Sequence, residues 1–354
     1  MNLQAFRTRL PMHFICTFIA IFLFNFSCSK DADTLSAKTV KEETVSLIEQ
    51  DGTTNEEQEE NISKEDSDDE GVAETGDCAT SGGMANDSGL KTWCWGDIDV
   101  PSGASTGRDS FSNGQLALNI QCNANQVYKE GNRLRFVLNP TKPSPASWCP
   151  ENFNMRSEIR TMPWNVDHPS GTEEWIGFSY GFGDNYIPDP TNNWVFYQAH
   201  EGTLGASPLL SLQIDGRAGS SYKTGEIVVV NASQDGSKNS IYGTNIVPTA
   251  GETVDVVLHV IWGDENTGLL EVWLNGNKLV DLQTTRTVRS STRVGGNSKF
   301  GIYKHAWRSE TGVQTSAAQG VSEVETFMGP LRIITRKPSD TNYRQNAYDK
   351  VSPE

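Results

Sequence analysis

The chain has 354 residues, of which 29 are basic and 45 acidic, for a formal net charge of −16. That length is too great for a small disulfide scaffold and suits one large domain or two modest ones. Taken whole, the charge argues against a polyanionic partner such as nucleic acid; taken by segment, it does not.

Residues 1–28 carry Arg7 and Arg9 and no acid, then an apolar run from Phe14 to Phe26, then Cys28. A basic start and a short apolar run form the pattern of an export signal, too short to span a bilayer comfortably. FNFSCSKDAD resembles a bacterial lipoprotein signal, with Cys28 as the lipid-bearing residue. The expected location is therefore the outer membrane, by that lipid alone, or the medium. Residues 29–77 hold 17 acids against Lys30, Lys38, Lys41 and Lys64, and no Trp, Tyr or Phe. Such a segment cannot bury enough apolar surface to offset its ordering entropy and reads as a disordered acidic linker. The remaining residues, 78–354, are only −5 net.

From Cys78 onward, short runs of β-branched and aromatic residues alternate with Gly, Pro, Asn and Asp. Strands are expected at 115–121, 133–138, 174–182, 193–200, 209–215, 226–231, 254–262, 269–276, 299–307 and 331–336. Asn275-Gly276 between two apolar runs is a hairpin turn. No long 3.6-residue period and no internal repeat is present. The pattern points to an all-β sandwich or barrel over 78–336, a size that is large but ordinary for a jelly roll, with 337–354 as a tail. Cys78, Cys94, Cys122 and Cys149 have no zinc-like spacing and suit two disulfides in an oxidising compartment, with three pairings open.

Motifs for a serine hydrolase, a zinc protease or a phosphate-binding loop are absent. Polar residues instead recur at period two. Arg156, Glu158 and Arg160 share one strand face, as do Gln198 and His200, and as do Lys299, Gly301 and Tyr303. A polar face is costly in a core, so this one should line a cleft. Residues 282–309 also hold Arg286, Arg289, Arg293, Lys299, Lys304 and Arg308 with no acid, a local cationic stretch suited to an anionic polymer.

RSEIR, QAH and KFGIY, in that order, resemble the three signature strands of the jelly-roll polysaccharide lyases, the superfamily of alginate lyase, heparin lyase I and glucuronan lyase. The resemblance covers roughly residues 150–336 and implies a β-jelly roll of two curved antiparallel sheets, with substrate in the concave face. It implies cleavage of a uronate-containing acidic polysaccharide by β-elimination, from within the chain, with ulvan favoured over glucuronan and alginate. Gln198, helped by Arg156, would neutralise the uronate carboxylate. Tyr303 would protonate the leaving oxygen, and either Tyr303 or His200 would be the base. Lys299 and Arg160 would hold anionic groups, and Glu158 would orient arginine or form a surface ion-pair ladder. Trp164 and Trp307 are candidates to stack on sugar rings, and Gly301 to leave the facing surface open. Nearby Arg and Lys charges would lower the Tyr303 pKa. His305 is expected to point away from Tyr303, and His259 to be structural. No cofactor is required, a structural calcium is not indicated, and the chain is expected to act as a monomer without nucleic acid. The competing readings are a non-catalytic carbohydrate-binding sandwich and a sandwich glycoside hydrolase.

Overall fold

A computed structural model of the chain describes Cys78 and residues 81–353, except 84, 87–88, 102–108, 112–113, 121–124, 142–152, 165–166, 202–206, 218, 233–238, 290–296 and 341–345. The expected export signal with Cys28, the expected acidic linker, Cys122, Cys149 and Arg293 lie outside the described residues. Cys78 is bonded to Cys94, which selects that pair from the three arrangements open in the sequence.

The described residues form two antiparallel sheets. The first is ordered β13 (Asn277–Leu282), β12 (Leu269–Leu274), β11 (Thr253–Ile261), β6 (Glu173–Phe182), β15 (Val324–Met328), β4 (Arg133–Leu138) and β3 (Val127–Glu130). Beside β6 it also holds β16 (Leu331–Arg336), which pairs in turn with β1 (Leu90–Trp93). The second is ordered β10 (Ser240–Gly243), β9 (Ile227–Asn231), β8 (Leu210–Ile214), β7 (Trp194–His200), β14 (Asn297–Tyr303), β5 (Arg156–Thr161) and β2 (Leu116–Ile120). This is a sandwich rather than a closed barrel, the jelly roll that the motif resemblance implies. The short strands β1, β3, β10 and β15 were not separately anticipated; each is only four or five residues long. Asn275 and Gly276 both have positive φ at the β12–β13 turn, as a two-residue hairpin of this type requires.

Aromatic side chains fill the space between the sheets. Phe178 on β6 meets Phe300 edge-on at 5.2 Å between ring centroids, and Tyr180 stacks on Phe196 at 4.8 Å. The Tyr180 hydroxyl donates to the Gly301 carbonyl at 2.8 Å and accepts from the Thr326 hydroxyl at 2.8 Å. A buried phenol thus keeps its hydrogen bonds while joining the two sheets.

One strand breaks the simple alternation. Strict period two in WVFYQAH would set Trp194 and Phe196 beside Gln198 and His200. The pairing of β7 with β8 instead slips between Val195 and Tyr197. That bulge lets Trp194, Phe196, Tyr197 and Ala199 all enter the core, while Gln198 and His200 keep the opposite face. The pairing of β7 with its other neighbour, β14, slips at the same level, between Phe300 and Tyr303.

Residues 337–354, expected as a tail, include the helix α2 (Ala347–Val351). It packs on the outer face of the first sheet, where Val351 is buried against Gly177; a Cβ at Gly177 would lie 1.8 Å from the Val351 carbonyl oxygen. A second helix, α1 (Glu310–Ala317), follows a single 3₁₀ turn, His305–Arg308, and is capped by the Ser309 hydroxyl, which accepts from the Gly312 amide.

Candidate active site

The three motif strands are neighbours: β7, β14 and β5 lie side by side in the second sheet. Register sets Lys299 between Arg160 and Gln198, Gly301 opposite Glu158, and Tyr303 opposite Arg156. On these strands the core takes Ile159, Phe300, Ile302 and Tyr197, so the polar residues gather on the face turned away from it. Tyr303 stands at one end of this strip and His200, opposite Asn297, at the other, with Lys299 and Gln198 between them.

Glu158 organises the strip. It is 1 % exposed, which rules out a surface ladder. Its carboxylate accepts from Gln198 Nε2 at 2.6 Å and Asn119 Nδ2 at 2.8 Å, and lies 3.1 Å from Arg156 Nε. Burial pushes the carboxyl up, while the Arg156 and Lys299 charges and the two amide donors pull it back. Arg156 also reaches Asn119 Oδ1 at 3.4 Å and lays its guanidinium over the Tyr303 ring at 4.7 Å. Asn119 was missed in the sequence. The available signal was an amide within the apolar run LALNI, on the face that the leucines and Ile120 leave.

Lys299 is 2 % exposed. Burial, then the neighbouring Arg156 and Arg160 charges, lower its ammonium to about 7 against the pull of Glu158. Its Nζ lies 4.5 Å over the Trp164 ring, and the Arg160 guanidinium lies 5.1 Å from the same ring. Trp164 also stacks on His200 at 5.5 Å. One indole therefore touches three of the residues singled out by spacing.

Several expectations change. Trp307 is fully buried in the core, with its Nε1 donating to the Ser316 hydroxyl at 2.8 Å, and is not available to a sugar. The Tyr303 pKa is raised rather than lowered: burial pushes it up and Glu158 adds to this, with only Arg156 and Arg308 opposing. Gly301 does not open the cleft. Its φ is +125°, and a Cβ there would sit 2.4 Å from the Ser157 carbonyl oxygen and 2.8 Å from the Phe136 ring. The glycine meets a strained conformation and a close approach on the core side. His305 does not turn away, because the strand ends at Tyr303 and the following 3₁₀ turn brings its ring to 6.0 Å from that of Tyr303.

The cationic stretch is mostly neutralised outside the strip. Arg286 pairs with Glu265, Arg289 with Glu201 at 2.6 Å, and Lys304 with Asp189 at 2.7 Å. His259 lies on the first sheet between Glu271 at 2.6 Å and Glu173 at 2.8 Å, stacked on Trp175 at 3.8 Å. Among the described residues, no group of three or more His, Cys, Asp or Glu is placed to hold a metal ion.

A polysaccharide lyase family model matches residues 96–324, and the chain belongs to this family of enzymes. No curated protein matches. Among solved structures, an endo-β-1,4-glucuronan lyase from the fungus Trichoderma reesei is similar at 15% identity, covering 70% of this chain and 97% of that one, with a TM-score of 0.45. An alginate lyase from Pseudomonas aeruginosa is similar at 16% identity, covering 60% and 86%, with a TM-score of 0.43.

Proposed function

We propose that the strip from Tyr303 to His200 cleaves a uronate-containing acidic polysaccharide by β-elimination within the chain. The observation that carries the reading is the buried Glu158, which ties Arg156, Gln198 and Asn119 into one array beside Tyr303 and Lys299. The base removes the proton from C5 of the uronate, and that electron pair becomes the C4–C5 double bond. The C4–O bond breaks, and the leaving oxygen takes a proton. Negative charge builds on the carboxylate in the transition state, so fixed donors aimed there lower the barrier. Gln198 gives one amide hydrogen to Glu158 and has a second for this purpose. Arg156 supplies charge. Tyr303, with its raised pKa, holds its proton and serves as the donor to the leaving oxygen. His200 is then the base, with the reacting sugar over Lys299 and Gln198, and Arg160 and Trp164 bind the neighbouring part of the polymer. A binding module would need no phenol held protonated at the site, and hydrolysis would need a pair of carboxylates where the strip has one, Glu158, already engaged.

Ulvan is the favoured polymer, then glucuronan, then alginate. A signal ending at Cys28 and the acidic linker suit an exported enzyme held off a membrane surface. Incubating the full chain with the three polymers and sizing the products tests the endo mode. Mid-chain attack yields a rapid fall in mean length at low conversion; release of only mono- or disaccharides from intact polymer contradicts it.

Lys299 sets a pH dependence. Its ammonium is charged below pH about 7 and neutral above it, so attraction for the polymer weakens as pH rises through that value. KM should rise above pH about 7 in the natural chain, whereas Lys299→Gln should show a KM that is higher and flat over the same range. Parallel pH profiles in the two proteins would refute this assignment.

A further inference from the structure

At the Tyr303 end of the strip the chain makes the 3₁₀ turn His305–Arg308. A 3₁₀ turn has three residues per revolution, so His305 and Arg308 lie on one face of it. The other two side chains differ: Trp307 is fully buried and Ala306 is small. The face with His305 and Arg308 is the one beside the phenol, since the His305 ring is 6.0 Å from that of Tyr303.

Charge separates Arg308 from the other described cations of its stretch. Arg286, Arg289 and Lys304 each have an acidic partner, and Lys299 lies beside Glu158. Arg308 is exposed and has no acidic partner among the described residues, yet its charge acts on both Tyr303 and His305. Burial, then Arg308 and Arg156, keep the His305 imidazole below its usual pKa, so it offers an N–H without adding charge. A solvent-facing guanidinium and a neutral N–H donor at one edge form a fork for an oxyanion.

We infer that His305 and Arg308 form a subsite for an anionic substituent, a sulfate ester or a carboxylate, on the sugar that departs with the leaving oxygen. The inference rests on Tyr303 being the proton donor: the sugar beyond the phenol is then the departing one, and the turn is the next element past Tyr303. Arg156 is less available for this task because Glu158 and Asn119 already engage it.

The test uses the full chain with three polymers: a sulfated uronate–rhamnose polymer, its chemically desulfated form, and an unsulfated glucuronate homopolymer. In the first and third the departing sugar carries an oxyanion, as sulfate or as carboxylate; in the second it is neutral. Arg308→Ala should raise KM about tenfold or more on a polymer bearing the preferred oxyanion, the loss of roughly one charge-assisted hydrogen bond. It should leave KM on the desulfated polymer unchanged, and whichever of the first and third polymers is affected more identifies sulfate or carboxylate. His305→Gln should retain binding better than His305→Ala, because the amide still donates. An equal loss on all three polymers, or a fall in kcat alone, would mean that Arg308 acts through Tyr303 and would overturn the subsite. Retained turnover in Tyr303→Phe, or no unsaturated product from any polymer with the natural chain, would instead overturn the reading on which the subsite rests.

Discussion

Tyr303→Phe should lower kcat by about 10²–10⁴-fold, the usual worth of a well-placed general acid, while binding of the polymer stays nearly unchanged. The substitution removes one hydroxyl and keeps the ring over which the Arg156 guanidinium sits at 4.7 Å. Arg156 therefore keeps that contact and its place beside Glu158 at 3.1 Å, and the rest of the strip is undisturbed. What disappears is the proton that the leaving oxygen must take. Steady-state kinetics on soluble polymer, with a separate binding measurement on the inactive protein, divides the two effects. Retention of most of the activity would remove Tyr303 from the mechanism even though the fold would stand.

The second large effect is structural and lies one residue further on. Lys304 follows Tyr303 but points to the opposite side, where its Nζ meets Asp189 at 2.7 Å and donates to the Asn192 carbonyl at 2.9 Å. Neither ionic side chain is more than 1 % exposed. Asp189 also accepts from the hydroxyls of Ser316 and Thr191, so the pair joins the loop before β7 to the helix after the site. Burial alone would raise the Asp189 carboxyl, but the Lys304 charge and hydrogen bond outweigh it and hold it low. Removing one member of a buried pair leaves the other charge uncompensated, at a cost of about 3–5 kcal/mol. Lys304→Met should show that loss in urea unfolding at neutral pH. Adding Asp189→Asn should recover part of it. The gap between Lys304→Met and the natural chain should also narrow in acid, because without Lys304 the Asp189 carboxyl takes up its proton at higher pH and ceases to be a buried charge. A loss below about 1 kcal/mol, the scale of an exposed pair, would contradict the role given to this contact.

The sequence made the strands legible because each is a short β-branched or aromatic run closed by turn residues, and the three motif strands carried their polar residues at period two. That period correctly put Gln198 with His200 and Arg156 with Glu158. It was not enough to foresee the slip at Phe196, because a bulge is decided by the pairing partner and not by the strand itself. Trp307 was misjudged for a related reason. An indole after a motif strand can face sugar or core, and only the turn beginning at Lys304 sends it inward toward Ser316. The cationic stretch was legible as composition but not as charge. The acids that neutralise it, Glu265, Glu201 and Asp189, lie 21, 88 and 115 residues away in the chain, and long-range pairing leaves no local trace. For Glu158 the flanking Arg156 and Arg160 left two readings, orienting arginine or a surface ladder; Asn119 and Gln198, from two other strands, make it a buried hub. The pairing of Cys78 with Cys94 was one of the arrangements that spacing left open.

The proposed function requires above all that the strip break its polymer by elimination. The direct measurement follows the same digest of ulvan, glucuronan and alginate in two ways: ultraviolet absorbance of the C4–C5 double bond, and the number of new reducing ends. Elimination gives one unsaturated end for every new reducing end on at least one of these polymers, and Tyr303→Phe loses both signals together. New reducing ends without ultraviolet absorbance would make the enzyme a hydrolase and contradict the account.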